Sequence, residues 1–93
     1  MRIRWTDPAL QDFTQICDYI DQHSGGATSR RVALSIHLEL DLLANFPECG
    51  RTGRKPNTRE LVLSSVPYIV VYRIHDNSVE IVRILHGAQR WPK

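Results

Sequence analysis

The sequence predicts an α+β domain in which a small antiparallel β-sheet packs against a hairpin of two α-helices, in the order β-α-α-β-β-β. Three observations lead to this prediction. Hydrophobic residues make up 42% of the 93 residues, enough for one modest core and a single domain spanning residues 1–93. Apolar residues recur at helical spacing up to Pro47 and in extended, β-branched runs after it. Only a short glycine link separates the two helical segments, so we expect them to pair as a hairpin.

The opening residues predict a short strand and then a helix. Ile3 and Trp5 alternate with arginines, which is typical of a strand. Thr6 or Asp7 can cap a first helical turn, and the proline that follows is tolerated there because its missing N–H has no intrahelical partner to lose. We predict this helix over residues 7–23. Apolar residues three and four positions apart form one apolar stripe on it: Leu10, Phe13, Ile16, Cys17 and Ile20.

The second helix is predicted over residues 27–45 and is ended by Pro47, which cannot continue a helix. One apolar stripe on it consists of Val32, Ile36, Leu40 and Leu43. A second set widens that stripe and consists of Leu34, Leu38 and Leu42. The combined band is broader than packing against one neighbour requires.

Three β-branched runs after Pro47 are predicted as strands, over residues 60–63, 68–74 and 79–85. Asp76 and Asn77 tolerate left-handed backbone, so a tight hairpin is expected between the last two strands. The polar stretch of residues 48–57 is predicted as a loop. Both faces of the central strands are apolar, yet two helices cover only one face, so we expect a partner to cover part of the remainder.

Bulk properties exclude several classes of protein. No apolar run approaches the ~18–20 residues that a membrane span requires, and the first residues lack the apolar core of a signal peptide, so we expect a cytoplasmic protein without membrane contact. A net charge of +2 is small for a nucleic-acid-binding domain. Cys17 and Cys49 are expected to remain reduced. With the histidines they lack the close paired spacing of zinc sites, so we expect no metal and no other cofactor.

Four segments resemble a known family, and they lie in the order that the family requires: DYI in the first helix, LANFPECGR after the second, then PYIVVYRI and VEIVRILHG in the last two strands. On these segments the chain resembles the RelE/ParE family of bacterial toxins from type II toxin–antitoxin modules, over nearly its whole length. The resemblance implies a growth-inhibiting toxin, of the kind associated with plasmid stabilisation. It also implies a cognate antitoxin encoded beside the toxin, through which alone the toxin would reach operator DNA. The residues expected to bind the antitoxin are Leu34, Leu38, Leu42 and Tyr72.

The family has two activities, and the sequence favours one of them. The resemblance implies that ParE-like members inhibit DNA gyrase, whereas RelE-like members cut mRNA on the ribosome with Lys and Arg from the sheet. This chain has Glu60, Val62 and neighbouring leucines where a Lys-rich strand would be needed, and its RILHGAQRW ending is closer to the ParE-like branch. Gyrase inhibition is therefore preferred over ribonuclease activity. A third hypothesis is an inactive relative that acts only as a binding module with its antitoxin.

The candidate functional residues lie mostly in the C-terminal third. On the ribonuclease hypothesis the catalytic candidates are Arg59, Arg83, His86 and Arg90. On either hypothesis the target-binding candidates are Arg51, Arg54, Lys55, Arg83, His86, Arg90 and Trp91. Structural roles are also open: Arg83 can pair with an acid such as Glu60 or Glu80, His86 can bond to backbone, and Trp91 can cap the core.

Overall fold

The computed structural model describes residues 1–87 and confirms the predicted α+β class. The elements of this part of the chain are β1 (Arg2–Trp5), α1 (Asp7–Ser24), α2 (Gly26–Asn45), β2 (Arg51–Thr52), β3 (Arg59–Val62), β4 (Tyr68–His75) and β5 (Ser78–His86). Both predicted helices and all four predicted strands are present. The ends of the helices and of the last three strands lie within one residue of the predicted ends.

The strands form one sheet in the order β1-β5-β4-β3-β2. One pair departs from the expected antiparallel arrangement, because β1 runs parallel to β5 with Trp5 opposite Ile81. Both helices and the other strands separate β1 from β5 in sequence, so no tight turn fixes their relative direction. The stretch expected to be a loop also contains the short strand β2. It pairs with β3, and the backbone N–H of Gly53 closes the turn by donating to the carbonyl oxygen of Thr58 at 2.8 Å.

The core lies between the helical hairpin and one face of the sheet. Ile36, Leu40 and Leu43 of α2 are at most 2% exposed. They pack with residues from the two central strands: Val70, Tyr72, Val79, Ile81 and Ile84. The second leucine set lies outside this core, since Leu34, Leu38 and Leu42 are 59%, 57% and 50% exposed. The wide apolar band of α2 therefore divides into a buried stripe and an exposed one.

Thr6 joins the start of α1 to the sheet. Its hydroxyl accepts from the backbone N–H of Ala9 at 3.3 Å, as a helix cap does, and donates to the carbonyl oxygen of Ile81 at 2.8 Å. The backbone N–H of Thr6 donates to the same carbonyl at 3.2 Å. Because β1 ends at Trp5, its pairing with β5 ends at Ile81. Beyond that point α1 contacts the later residues of β5. This geometry brings helical side chains to the C-terminal end of β5.

The hairpin between β4 and β5 has the predicted turn. Asp76 and Asn77 adopt left-handed backbone, with φ of +49° and +58°. Within residues 1–87, neither helix has both the length and the apolar character needed to cross a membrane.

Candidate functional site

A cleft of about 520 Å³ opens between α1 and the ends of β4 and β5. Its polar and aromatic lining consists of Asp12, Gln15, Tyr19, Tyr68, Arg83 and His86. Ile16, Pro67 and Ile84 add apolar surface. A space of this size and mixed lining suits a small molecule or a few side chains of a partner. The cleft brings together two of the residues predicted from the sequence, Arg83 and His86.

Asp12 and Arg83 form an ion pair in this cleft. Nε and Nη2 of Arg83 donate to the two carboxylate oxygens of Asp12 at 2.7 and 3.0 Å, a bidentate geometry. The backbone N–H of Ile84 donates to the same carboxylate at 3.0 Å, so Asp12 also satisfies an edge amide of β5 beyond the end of β1. The hydrogen bonds to Asp12 raise the pKa of Arg83 above its ordinary value, although burial opposes them.

The sequence did not identify Asp12 as the partner of Arg83. Of the two acids expected there, Glu60 pairs with Arg51 and Glu80 pairs with Arg73. Asp12 lies about seventy positions from Arg83 in sequence and falls on the polar side of the α1 pattern. Asp12 and Arg83 come together because α1 lies beside β5 beyond the end of β1. No local pattern in the sequence predicts this contact.

Two aromatic pairs contribute to the cleft. The Tyr68 ring meets that of His86 edge to face with centroids 5.6 Å apart, and the Tyr19 ring lies 4.2 Å from that of His23. Burial raises the pKa of Tyr68, and the charges of Tyr19 and Cys17 add to the rise, so its phenol stays protonated at neutral pH. Neither tyrosine was among the candidate functional residues predicted from the sequence.

Arg59, a catalytic candidate, is used to hold the backbone. Its Nη1 donates to the carbonyl oxygens of Glu48 and Gly50 at 3.2 and 2.9 Å. It is absent from the lining of the cleft. Arg59 therefore fastens the chain after α2 to the sheet.

Tyr72 lies at the same corner and is completely buried. Its hydroxyl accepts from the backbone N–H of Gly50 at 2.9 Å and donates to the carbonyl oxygen of Pro47 at 2.8 Å. A Cβ atom on Gly50 would stand 2.5 Å from the Tyr72 hydroxyl oxygen, so this close approach requires glycine. The expectation that Tyr72 contacts an antitoxin is corrected, because its side chain has no exposed surface.

Glu60 holds the segment that carries the basic residues Arg51, Arg54 and Lys55. It is only 3% exposed, and its carboxylate accepts from Nη2 of Arg51 at 2.9 Å and from the backbone N–H of Arg54 at 3.2 Å. Burial alone would raise the pKa of Glu60, but the hydrogen bonds from Arg51 and Arg54 and the charges of both outweigh it, so the pKa lies below its ordinary value. The side chains of Arg54 and Lys55 are exposed and make no hydrogen bond or ion pair within residues 1–87.

The outer face of the sheet, which is the face turned away from the helices, combines neutralised charges with apolar residues. Strand register places Arg51, Glu60, Val71 and Arg83 in one row across it. A second row consists of Val62, Ile69 and Leu85. Both arginines of the first row are paired with a carboxylate. Neither row therefore offers an unpaired cation.

The exposed leucines of α2 form a second candidate surface. We call Leu34, Leu38, Leu42 and Phe46 the leucine surface; the last of them is 63% exposed. A shallow groove of about 190 Å³ runs beside it, lined by Ser35, Leu38, Glu39, Leu42 and Ser65. Exposed apolar surface of this kind on a small domain is typical of an interaction site.

Two predicted target-binding residues, Arg90 and Trp91, lie outside the described residues. In the part of the chain that is described, no three His, Cys, Asp or Glu side chains come close enough to hold a metal ion together.

A family model and two related sequences place this chain among the same bacterial toxins. A model of the ParE toxin of type II toxin–antitoxin systems, parDE, matches residues 3–91. The chain is 46% identical over 92 residues to the candidate toxin Y4kP of Sinorhizobium fredii, covering 99% of this chain and 94% of the relative. It is 43% identical over 88 residues to the toxin RelE2 of Caulobacter vibrioides, covering 95% and 97% of the two chains.

Solved structures share the fold. A chromosomal ParDE system from P. aeruginosa superposes with a TM-score of 0.84 at 24% identity, over 92% of this chain and 95% of the other. The E. coli RelBE toxin–antitoxin complex superposes with a TM-score of 0.65 at 16% identity, over 96% and 98%. At these identities the likeness concerns the fold alone.

Proposed function

This chain belongs to the ParE toxin family and is a type II toxin–antitoxin toxin, and we propose that it arrests growth by inhibiting DNA gyrase rather than by cutting mRNA. The proposal includes a single toxin domain over residues 1–93 that acts in the cytoplasm, without a cofactor.

The observation that carries this proposal is that the arginines of the sheet are already bound to carboxylates or to backbone carbonyls. Cleavage of RNA by attack of a 2′-hydroxyl requires cations that stabilise the phosphate as its charge develops. Arg83 is bound to Asp12, Arg51 is bound to Glu60, and Arg59 donates to backbone carbonyls. An arginine already paired with a carboxylate offers less charge to a phosphate, because the two anions compete for the same donors. The outer face thus supports a protein-binding role better than a phosphate-binding one.

Proton transfer is also poorly provided for in the cleft. Tyr68 is a protonated phenol with a raised pKa, and the side-chain oxygens of Asp12 already accept three hydrogen bonds. His86 is the remaining proton carrier among the described lining residues. Gyrase inhibition by binding requires no proton transfer, so these features do not count against it.

We propose further that a cognate antitoxin binds the leucine surface. Leu34, Leu38 and Leu42 are apolar and half or more exposed, so covering them removes apolar area from water. Their spacing of four residues suits a helix laid alongside α2. The P. aeruginosa and E. coli structures are a ParDE system and a RelBE complex, which supports an antitoxin partner. Contact with operator DNA would then come only through that antitoxin.

A second candidate function is ribosome-dependent mRNA cleavage. The specific observation in its favour is that Arg83 and His86 line one cleft, as a cation and a general acid would. The name of the C. vibrioides relative points to the same branch. The inactive-relative hypothesis predicts antitoxin binding with no growth arrest at all.

Replacement of His86 separates these functions. On the gyrase proposal, His86→Gln retains most of the growth inhibition, since inhibition by binding requires no proton transfer from this residue. On the ribonuclease alternative it loses ~10²–10⁴-fold of cleavage, as expected for removal of a general acid or base. The measurement is growth inhibition titrated by inducer, with thermal unfolding of each variant.

His75→Gln is the matched control, because this histidine is exposed on the same sheet and contacts Asp76 outside the cleft. If His86→Gln is as stable as His75→Gln and yet is not toxic, the proposed mechanism is contradicted.

A further inference from the structure

We propose that the cleft between α1 and the ends of β4 and β5 binds an aromatic side chain that stands next to a carboxylate, presented by the target protein. This deepens the proposed function and rests on it for the identity of the partner. Nothing in the sequence pattern pointed to the cleft as a whole, since its lining comes from α1, the turn before β4 and the end of β5.

The aromatic part of the ligand follows from the lining. Tyr19 is 61% exposed although its ring packs against His23, and Tyr68 presents a partly buried ring supported by His86. An exposed ring held by a neighbour loses little freedom when a second ring stacks on it. Such aromatic contacts contribute about 0.5–1.5 kcal/mol beyond the buried area.

The carboxylate part follows from the ion pair. Arg83 keeps 27% of its side chain exposed, whereas Asp12 keeps 13%, so the guanidinium is the more accessible member. The carboxylate of Asp12 already accepts three hydrogen bonds, while Nη1 of Arg83 donates none within residues 1–87. Because Arg83 lines the cleft, its unused donor is available to a ligand with an acceptor, and an anionic acceptor gains most.

A nucleotide is less well matched to the same cleft. Recognition of phosphate by protein draws on several cations that replace its counterions. Arg83 is the one Lys or Arg side chain among the described lining residues, and Asp12 already takes two of its donors. The three N–H groups of Arg83 that Asp12 leaves unused can satisfy one carboxylate beside an aromatic ring, whereas a phosphate also requires further cations.

The test is an NMR titration of the purified toxin with N-acetyl-L-tryptophan, its neutral amide and AMP. We expect shifts of the ring signals of Tyr19, Tyr68 and His86, and a Kd for N-acetyl-L-tryptophan several-fold below that of the amide. No shift of these signals at millimolar N-acetyl-L-tryptophan would overturn the proposal. Tighter binding of AMP would overturn it as well, in favour of a nucleic-acid ligand.

A matched pair of variants on α1 locates the binding. Tyr19→Ala should weaken N-acetyl-L-tryptophan by about 2–10-fold, the range expected for one aromatic contact. Leu10→Ala, a change at a residue 47% exposed and absent from the lining, should leave the Kd unchanged. Equal effects of the two variants would contradict the assignment of the site.

The identity of the partner is tested separately. Tyr19→Ala should weaken inhibition of gyrase supercoiling while leaving antitoxin affinity unchanged. Loss of antitoxin affinity with normal inhibition would show that the partner is wrong. A wild-type toxin that binds the probe but does not affect gyrase would reject the proposed function and the target, and would leave the chemistry of the cleft supported. Inhibition of gyrase without probe binding would reject only the cleft.

Discussion

At the scale of single residues, one buried and one partly buried carboxylate determine which arginines remain available to a partner. Asp12 and Glu60 each bind an arginine side chain and a backbone N–H, so each stabilises both a charge and a neighbouring backbone segment. From sequence alone the arginines stood out as candidates because cations suggest phosphate binding. Their pairing could not be predicted, since it depends on which acids the fold brings alongside.

Glu60 gives a prediction about pH. Its pKa in the folded protein lies below the ordinary value of about 4.3, so its stabilising effect is complete above that pH and is lost as the pH falls through the lowered pKa. Glu60→Gln should therefore reduce the free energy of unfolding at pH 7 by about 1–3 kcal/mol, because a buried set of donors loses its charged acceptor.

Urea unfolding at pH 7 and pH 3.5 checks this prediction, with the difference between wild type and Glu60→Gln expected to shrink at the lower pH. Glu48→Gln, at an exposed position, is the control and should stay within about 0.5 kcal/mol of wild type at pH 7. A difference that grows on acidification would mean that the pKa of Glu60 is raised rather than lowered.

At the scale of elements, hydrophobic period identified both helices and the main strands, because burial on one face imposes it directly. The sequence indicated that the apolar band of α2 is wider than one neighbour requires, and the structure divides it into a buried stripe and an exposed one. Three features escaped prediction: β2, the parallel direction of β1, and the cleft. Each depends on pairing between segments distant in sequence, which local composition does not encode. Tyr72 was assigned to a surface because strand alternation does not say which face the helices cover.

Neighbouring leucines on α2 test this division of the helix. Leu40→Asp should unfold the protein, because Leu40 is 2% exposed and the new carboxylate would be buried without a partner, at a cost of several kcal/mol. Leu38→Asp, at a position 57% exposed, should leave the fold intact and weaken antitoxin binding by at least tenfold.

Circular dichroism melts and a titration with the cognate antitoxin distinguish the two variants. A folded Leu40→Asp protein would contradict the packing of α2 on the sheet. Unaltered antitoxin affinity in Leu38→Asp would remove the leucine surface from the interface.

At the scale of the whole molecule, charge divides between the two layers. The helices α1 and α2 carry six acidic residues and two arginines, while eight Lys and Arg residues lie in the strands and loops of residues 1–87. The sequence already indicated this division, because no Lys or Arg occurs between Trp5 and Ser29. This distribution of charge favours different partners on the two layers. An acidic segment of a partner would be steered toward the sheet and its loops, which are the basic layer.

The central claim is that the toxin acts on gyrase and not on RNA, and one paired measurement with the wild-type protein tests it most directly. Purified toxin is added to a gyrase supercoiling reaction and, at the same concentrations, to ribosomes programmed with mRNA. We predict dose-dependent loss of supercoiling that the cognate antitoxin reverses, with the mRNA left intact. Cleavage of the mRNA with supercoiling unaffected would contradict the account and establish the ribonuclease alternative.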